Sequence, residues 1–125
     1  MSDYSQKSIC VIGAGNWGKN HIRTLHELDA LGGIADIDQS RLGKFSSNYL
    51  NIGFYGSLDE ALESSYDGYV ISTPASTHFE IAKKCLESEK HVFLEKPIST
   101  NLIDAEKLIE ISTKRKLILQ IGHLY

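Results

Sequence analysis

The chain is poor in four residue types: its 125 residues include two cysteines, two prolines, one methionine and one tryptophan. So few cysteines exclude a disulfide-framed small domain, and Cys10 in an apolar run and Cys85 on an expected helix show no metal-ligand spacing. They read as small core residues of a reduced compartment, with a disulfide between them the less favoured alternative. No stretch approaches the run of about 20 apolar residues that spans a bilayer, which excludes a membrane-spanning helix. A cationic surplus is lacking too: 13 lysines and arginines face 16 aspartates and glutamates, for a net charge of −3. That excludes a nucleic-acid backbone as the main partner and leaves local anion sites open. Met1 to Lys7 is polar, without the basic-then-apolar order of an export signal, so residues 1–7 are expected to be a flexible lead-in on a cytoplasmic protein. With no repeat, low-complexity tract or linker, residues 1–125 read as one domain, long enough to bury about two-thirds of the surface its unfolded form exposes.

What the sequence does contain is a regular alternation of short apolar runs and amphipathic stretches. Ser8 to Ile12 is a continuous apolar run stopped by Gly13, the pattern of a buried parallel strand. Ile22, Leu25 and Leu28 then recur at helical spacing, with Lys19, Arg23 and Glu27 on the other face. Leu31 to Ala35 is a weaker strand signal, because Gly32 and Gly33 bring no side chains to pack. A helix follows near Gln39, a short strand covers Gly53 to Tyr55, and Ser57 can cap a helix running through Glu63. Gly68 to Ser72 is a strand ended by Thr73-Pro74, since proline cannot join a sheet ladder. Ser76 or Thr77 is expected to cap the next helix, which turns Phe79, Ile81, Ala82, Cys85 and Leu86 inward. His91 to Leu94 is the fifth strand, and His91 reads as structural. Thr100 or Asn101 opens a helix with Leu102, Ala105, Leu108, Ile109 and Ile111 on its apolar side, and Leu117 to Ile121 is the last strand. The expectation is an α/β, three-layer Rossmann domain with a doubly wound, mainly parallel sheet and its ligand crevice beyond the carboxyl ends of the strands.

Gly13-Ala14-Gly15-Asn16-Trp17-Gly18 fits G-x-G-x-x-G directly after a strand and at the start of a helix, the context in which the pattern has mechanical meaning. Gly13 permits a tight turn, Gly15 lets a pyrophosphate approach the backbone, and Gly18 lets the helix pack against the strand. A pyrophosphate over the helix start gains about 0.3–1 kcal/mol from the dipole, or about 2 when partly buried. Trp17 is divided between covering the core and touching the cofactor. Asp36 lies about 20 residues past the loop, where an acid accepts hydrogen bonds from adenosine ribose hydroxyls, with a solvated turn residue as the alternative. That favours NAD. NADP is less favoured, since a 2′-phosphate would meet Asp36 and Ile37 offers no cation, although Arg41 is close in sequence. Asp38 reads as a helix cap only.

Two further segments leave strand ends: Ser72-Thr73-Pro74-Ala75-Ser76-Thr77-His78 and His91-Val92-Phe93-Leu94-Glu95-Lys96-Pro97. With the glycine loop they span most of the chain, and together they resemble the N-terminal NAD(P)-binding domain of the Gfo/Idh/MocA family of sugar oxidoreductases. The resemblance implies that Ser72, Thr73, Pro74 and Glu95 lie against the cofactor along with Asn16. It also implies that Lys96 of the E-K-P signature sits beside the nicotinamide and helps manage the proton of the hydroxyl being oxidised. A partly desolvated lysine holds its proton less tightly and can do this, whereas an isolated lysine is usually just a surface charge. By the same resemblance His78 lines the cofactor channel, against the plainer role of a first-turn helix residue. The closing Gly122-His123-Leu124-Tyr125 is similar to the branch acting on nucleotide sugars, with His123 facing the active site or simply ending the strand.

Members of the family continue into a second α/β domain that carries most sugar contacts, and this sequence stops where that domain is expected to begin. The expectation is therefore the cofactor domain of a sugar or nucleotide-sugar dehydrogenase, with little activity alone and with apolar surface that favours self-association. A freestanding NAD-binding regulatory module is the alternative from another class. A methyltransferase is a third, argued against by Thr73-Pro74 and Glu95-Lys96-Pro97.

Overall fold

The computed structural model describes residues 8–122; the lead-in expected for 1–7 and the reading of His123 lie outside the described residues. The elements run β1 (Ile9–Ile12), α1 (Asn16–Glu27), β2 (Leu31–Ala35), α2 (Gln39–Ser46), β3 (Gly53–Tyr55), α3 (Leu58–Leu62) and β4 (Gly68–Ile71). After a 3₁₀ turn at Ala75–Thr77 come α4 (His78–Glu87), β5 (His91–Glu95), α5 (Leu102–Arg115) and β6 (Leu119–Gly122). The strands form one sheet in the order β3-β2-β1-β4-β5-β6, and every pairing is parallel. This is the Rossmann order, with its switch point between β1 and β4, where the chain moves outward in opposite directions. No helix among the described residues is long and apolar enough to cross a membrane.

Side-chain alternation along the strands builds two cores. Cys10 and Ile12 of β1, Tyr69 and Ile71 of β4 and Val92 and Leu94 of β5 face Ala61 of α3, Ala82, Cys85 and Leu86 of α4 and Leu108 of α5. Val11 and Val70 point the other way, with Ile34, against Ile22 of α1 and Leu42 of α2. Each fully buried Ile or Leu contributes about 1.5–3 kcal/mol. Both thiols are free and buried. Burial pushes the Cys85 thiol up to about 12 and drives Cys10 higher still, with Cys85 adding to the shift on Cys10.

The glycines that weaken β2 as a sequence signal are explained by a neighbour. A Cβ at Gly33 would lie 2.4 Å from the Tyr66 hydroxyl. Tyr66 lies across β2, donates to the Gly32 carbonyl at 2.9 Å and meets the Tyr55 hydroxyl at 2.7 Å. Most helix starts agree with expectation: Asp38 caps α2, Ser57 caps α3 and Asn101 caps α5 through their side chains. The start of α4 departs from it. Neither Ser76 nor Thr77 caps that helix; the 3₁₀ turn leads into it instead, and the Thr77 hydroxyl lies 2.6 Å from both Thr73 Oγ1 and the Pro74 carbonyl. The apolar stripes are also narrower than periodicity implies. Leu28 follows the end of α1 and is exposed, and Leu102 and Ile109 of α5 are exposed while Ala105 and Leu108 carry its buried side. Leu117 and Ile118 precede β6 rather than beginning it.

Candidate functional site

The switch point brings Gly13 after β1, Asp36 after β2 and Ser72 after β4 to one end of the sheet. Gly13 has φ +97°, the left-handed region, and a Cβ there would lie 2.9 Å from the Ser72 carbonyl oxygen. A Cβ at Gly18 would lie 1.9 Å from the Gly13 carbonyl, so α1 meets β1 at a distance only glycine allows. A Cβ at Gly15 would meet nothing within 4 Å, so that side of the turn is open. The start of α1 carries no side-chain cap and no acid in its first turn, which leaves its N–H groups facing outward and the dipole uncompensated. Next to it is a crevice of about 210 Å³ lined by Gly13, Gly15, Asp36, Arg41, Ser72 and Thr73, among others. Ser72 Oγ is buried and has no hydrogen-bond partner among the described residues. An open glycine turn, unpaired helix N–H groups and an orphaned hydroxyl fit a ligand with an anionic centre and polar arms.

Asp36 is not a solvated turn residue; it is 7% exposed. Its Oδ2 accepts from the Ala14 N–H at 2.8 Å and its Oδ1 from the Asp38 N–H at 2.8 Å, so the carboxylate holds the glycine loop. Arg41 Nη1 adds contacts of 3.3 and 3.5 Å to the two oxygens. The acid that sequence assigns to a ligand is therefore already engaged by the protein, and the arginine supplies the longest of its contacts. Asp38 acts as the cap expected of it, and bonds from the Ser40 hydroxyl and the Arg41 and Ser40 N–H groups hold its carboxyl below the usual carboxylate range.

The T-P and E-K-P segments are joined by a residue the sequence divides between two roles. His78 is 2% exposed, with Nδ1 2.7 Å from the Pro97 carbonyl and Nε2 2.9 Å from the Thr73 carbonyl. Both ring nitrogens are occupied by the protein's own main chain, so the ring fastens one crevice loop to the other. The E-K-P turn is held from a second side by His21 of α1, whose Nε2 lies 2.9 Å from Glu95 Oε2, each side chain 14% exposed. His21 also packs edge-on against Phe93, with ring centroids 5.7 Å apart. The Lys96 N–H donates to the Gly122 carbonyl at 3.1 Å, while its side chain is exposed. Sequence reasoning misses His21 because a cross-element pair has no local spacing to reveal it; its position one turn after Gly18, beside buried Ile22, is the only trace. Trp17 is 46% exposed, so it does not serve as a core cover. Asn16 is exposed at the start of α1, and Pro74 is exposed ahead of the 3₁₀ turn.

The strand order, the glycine turn at the switch point and the acid closing β2 define a Rossmann dinucleotide-binding domain. The chain belongs to the Gfo/Idh/MocA family, described as an oxidoreductase family with an NAD-binding Rossmann fold, whose model it matches over residues 7–123. It is 32% identical over 114 residues to UDP-N-acetylglucosamine 3-dehydrogenase of Acidithiobacillus ferrooxidans, covering 91% of this chain and 36% of that protein. It is 33% identical over 117 residues to myo-inositol 2-dehydrogenase of Thermotoga maritima, covering 91% of this chain and 35% of that one. Among solved structures, the WlbA dehydrogenase of Chromobacterium violaceum in complex with NADH and UDP-GlcNAcA superposes with a TM-score of 0.86 at 25% identity, over 96% of this chain and 36% of that one. The chain thus spans little more than a third of the length of these relatives. It is an NAD-binding Rossmann domain of the Gfo/Idh/MocA type.

Proposed function

We propose that this domain is the cofactor half of an NAD-dependent dehydrogenase that oxidises a ring hydroxyl of a sugar or nucleotide sugar. The observation that carries the proposal is the uncapped, unobstructed turn at Gly15 on the same sheet end as the E-K-P turn of β5. The substrate class is supported by relatives whose names specify cyclic alcohols, a UDP-N-acetylglucosamine and a myo-inositol. In this reading the pyrophosphate lies over the N–H groups of Asn16, Trp17 and Gly18, Gly13 shapes the turn, and Ser72, Thr73 and Pro74 form the opposite wall. Asp36 receives the adenosine ribose, with Arg41 as the partner that yields, since its contacts are the longest. Bound NAD supplies the hydride acceptor.

The protein's own contribution is to hold and move a proton. Lys96 Nζ stands exposed on a turn fixed by His21, His78 and Gly122. There Nζ is placed to take up the proton of a sugar hydroxyl laid against it. Glu95 anchors that turn through its bond to His21, and His78 does so through Pro97. The remaining sugar contacts belong to a substrate-binding part outside these residues, and alone the domain turns over little or nothing. We place the enzyme in the cytoplasm and expect a homo-oligomer. Calorimetric titration tests the cofactor assignment: NAD binds and Asp36→Ala, checked for fold by circular dichroism, weakens it. Absence of NAD binding to the unmodified chain, or binding of S-adenosylmethionine in its place, overturns the reading.

A further inference from the structure

Of the eight large apolar side chains that stand exposed among the described residues, four lie in one stretch: Leu102, Ile103 and Ile109 on α5, and Ile118 just after it. Trp17 belongs to the glycine turn, Ile37 lines the crevice, and Leu28 and Leu50 stand singly. Helical steps of about 100° set Leu102, Glu106, Ile109 and Thr113 in one row that ends at Lys116, about 120° round from buried Leu108. Arg115, on the other side of Leu108, reaches the Glu87 carbonyl and Glu89 at the end of α4, so the row points away from α4 and overhangs β6. β6 itself is the outer strand of the sheet, paired on one side only. The Ile118 and Gly122 carbonyls accept from the Val92 and Lys96 N–H groups, and alternation therefore turns the N–H and C=O groups of Leu119 and Ile121 to the open side. Such an edge is a template for pairing with another chain.

We propose that the row and the edge form one interface, on which a second copy of this chain docks about a two-fold axis perpendicular to the sheet. The inference rests on the fold alone and not on the cofactor reading. β6 pairs antiparallel with β6 of the copy, centred on Gln120, so that Leu119 of each exchanges main-chain bonds with Ile121 of the other. Neighbouring strands are about 4.8 Å apart, and a helix crossing from β5 to β6 lies over the gap between them. The two copies of α5 then run antiparallel about 10 Å apart, the distance at which helices pack. One symmetry operation thus covers the strand edge and the apolar row together.

Charge selects the same orientation. Among the described residues neither Glu106 nor Lys116 has an opposite charge within salt-bridge distance, although Lys83, Lys84, Lys114 and Arg115 do. Ile109 lies midway between Leu102 and Lys116, so antiparallel rows set it against its counterpart and bring Glu106 of each copy towards Lys116 of the other. Helical side chains lean towards their own N-terminus, which makes these two converge. Parallel rows would instead set like charge beside like.

The test is sedimentation velocity across two decades of concentration, with circular dichroism as the control for fold. The unmodified chain is expected to form a reversible dimer, and I109K to raise its dissociation constant at least about tenfold. E106K and K116E should each weaken the dimer, and the double variant E106K/K116E should restore it to within about threefold. Amide exchange followed by NMR should find Leu119 and Ile121 protected in the dimer and fast in I109K. A chain that stays monomeric overturns the inference, as does a dimer that I109K leaves intact, which would seat the copy on another face. A double variant that stays as weak as either single one, or Leu119 and Ile121 amides that exchange equally fast in both states, overturns it too.

Discussion

The switch point and the rest of the domain are finished by opposite rules. In the body, polar groups are paired within the chain. Asp38, Ser57 and Asn101 cap α2, α3 and α5, Tyr66 and Tyr69 donate to main-chain carbonyls, and the thiols are sealed from water. At the switch point, α1 and α4, the helices following the two strands that flank it, start without side-chain caps, although the capped helices begin at the same end of the sheet. The Ser72 hydroxyl there has no partner among the described residues, and the space before Gly15 is vacant. A cap replaced by alanine costs about 1 kcal/mol, so leaving α1 without one is a deficit that a ligand can offset, whereas the 3₁₀ turn before α4 supplies main-chain partners there. The lesson is that, among the described residues, the unpartnered buried hydroxyl and the bare start of α1 lie together where binding is expected.

The largest expected disturbance strikes the body. Burial keeps the Cys85 proton on up to about pH 12 against 9.0 for a free thiol, and burial also raises Cys10, Tyr66 and Tyr69. In the native state these groups hold protons that the unfolded chain gives up. Their stabilisation is complete below about pH 9 and is lost as pH rises towards 12. The urea midpoint should therefore fall steeply between pH 8.5 and about pH 10.5, and a flat profile would show the interior to be wet. Gly18→Ala comes next, since its methyl would overlap the Gly13 carbonyl. It should cost about 1–3 kcal/mol in denaturant titration and abolish NAD binding. Gly43→Ala in α2, where a Cβ meets nothing, should instead stabilise by about 0.5–1 kcal/mol.

Gly15→Ala separates the two regions most cleanly. The added methyl meets no protein atom, so the thermal midpoint should hold while NAD affinity falls about tenfold, worth about 1.4 kcal/mol. Equal affinity would mean the vacancy is not where the ligand lies. Asn101→Ala is its mirror image, costing about 1 kcal/mol of stability with no change in NAD affinity. The smallest effect is for Asn16→Asp, which adds an acid to the bare first turn of α1. It should raise stability by about 0.3–1 kcal/mol and weaken NAD, the two measurements moving in opposite directions.

The body was legible because it is built from local rules: periodicity gave the strand and helix order, and Asp38, Ser57 and Asn101 declared their caps. Misreadings arose where tertiary neighbours override those rules. Gly32 and Gly33 looked like a weak strand because the ring of Tyr66 that occupies their missing side chains lies more than thirty residues away in sequence. Leu102 and Ile109 fit a helical stripe yet face water, since α5 packs on α4 and turns Ala105, Leu108 and Ile111 inward. At the candidate site the motifs mark loops that the structure brings to one end of the sheet, while the bonds made by single side chains there have no signal in the sequence. From position alone Asp36 reads as ribose-facing or as a solvated turn residue, and His78 as lining the cofactor channel or as a first-turn helix residue. Their bonds to Ala14, Asp38, Thr73 and Pro97 join segments whose proximity no single-sequence pattern encodes.

The two histidines that hold the E-K-P turn come from opposite layers, His21 on the helix covering one face of the sheet and His78 on the helix covering the other. This places a constraint on insertions and deletions that neither layer would impose alone. With about 3.6 residues per turn, one residue inserted between Gly18 and His21 would swing the imidazole about 100° away from Glu95. An equivalent slip in α4 would release Pro97. Length changes are therefore expected to accumulate in a peripheral loop such as Ser47 to Asn51, while the spacing from β1 to His21 and from β4 to His78 stays fixed over evolutionary time.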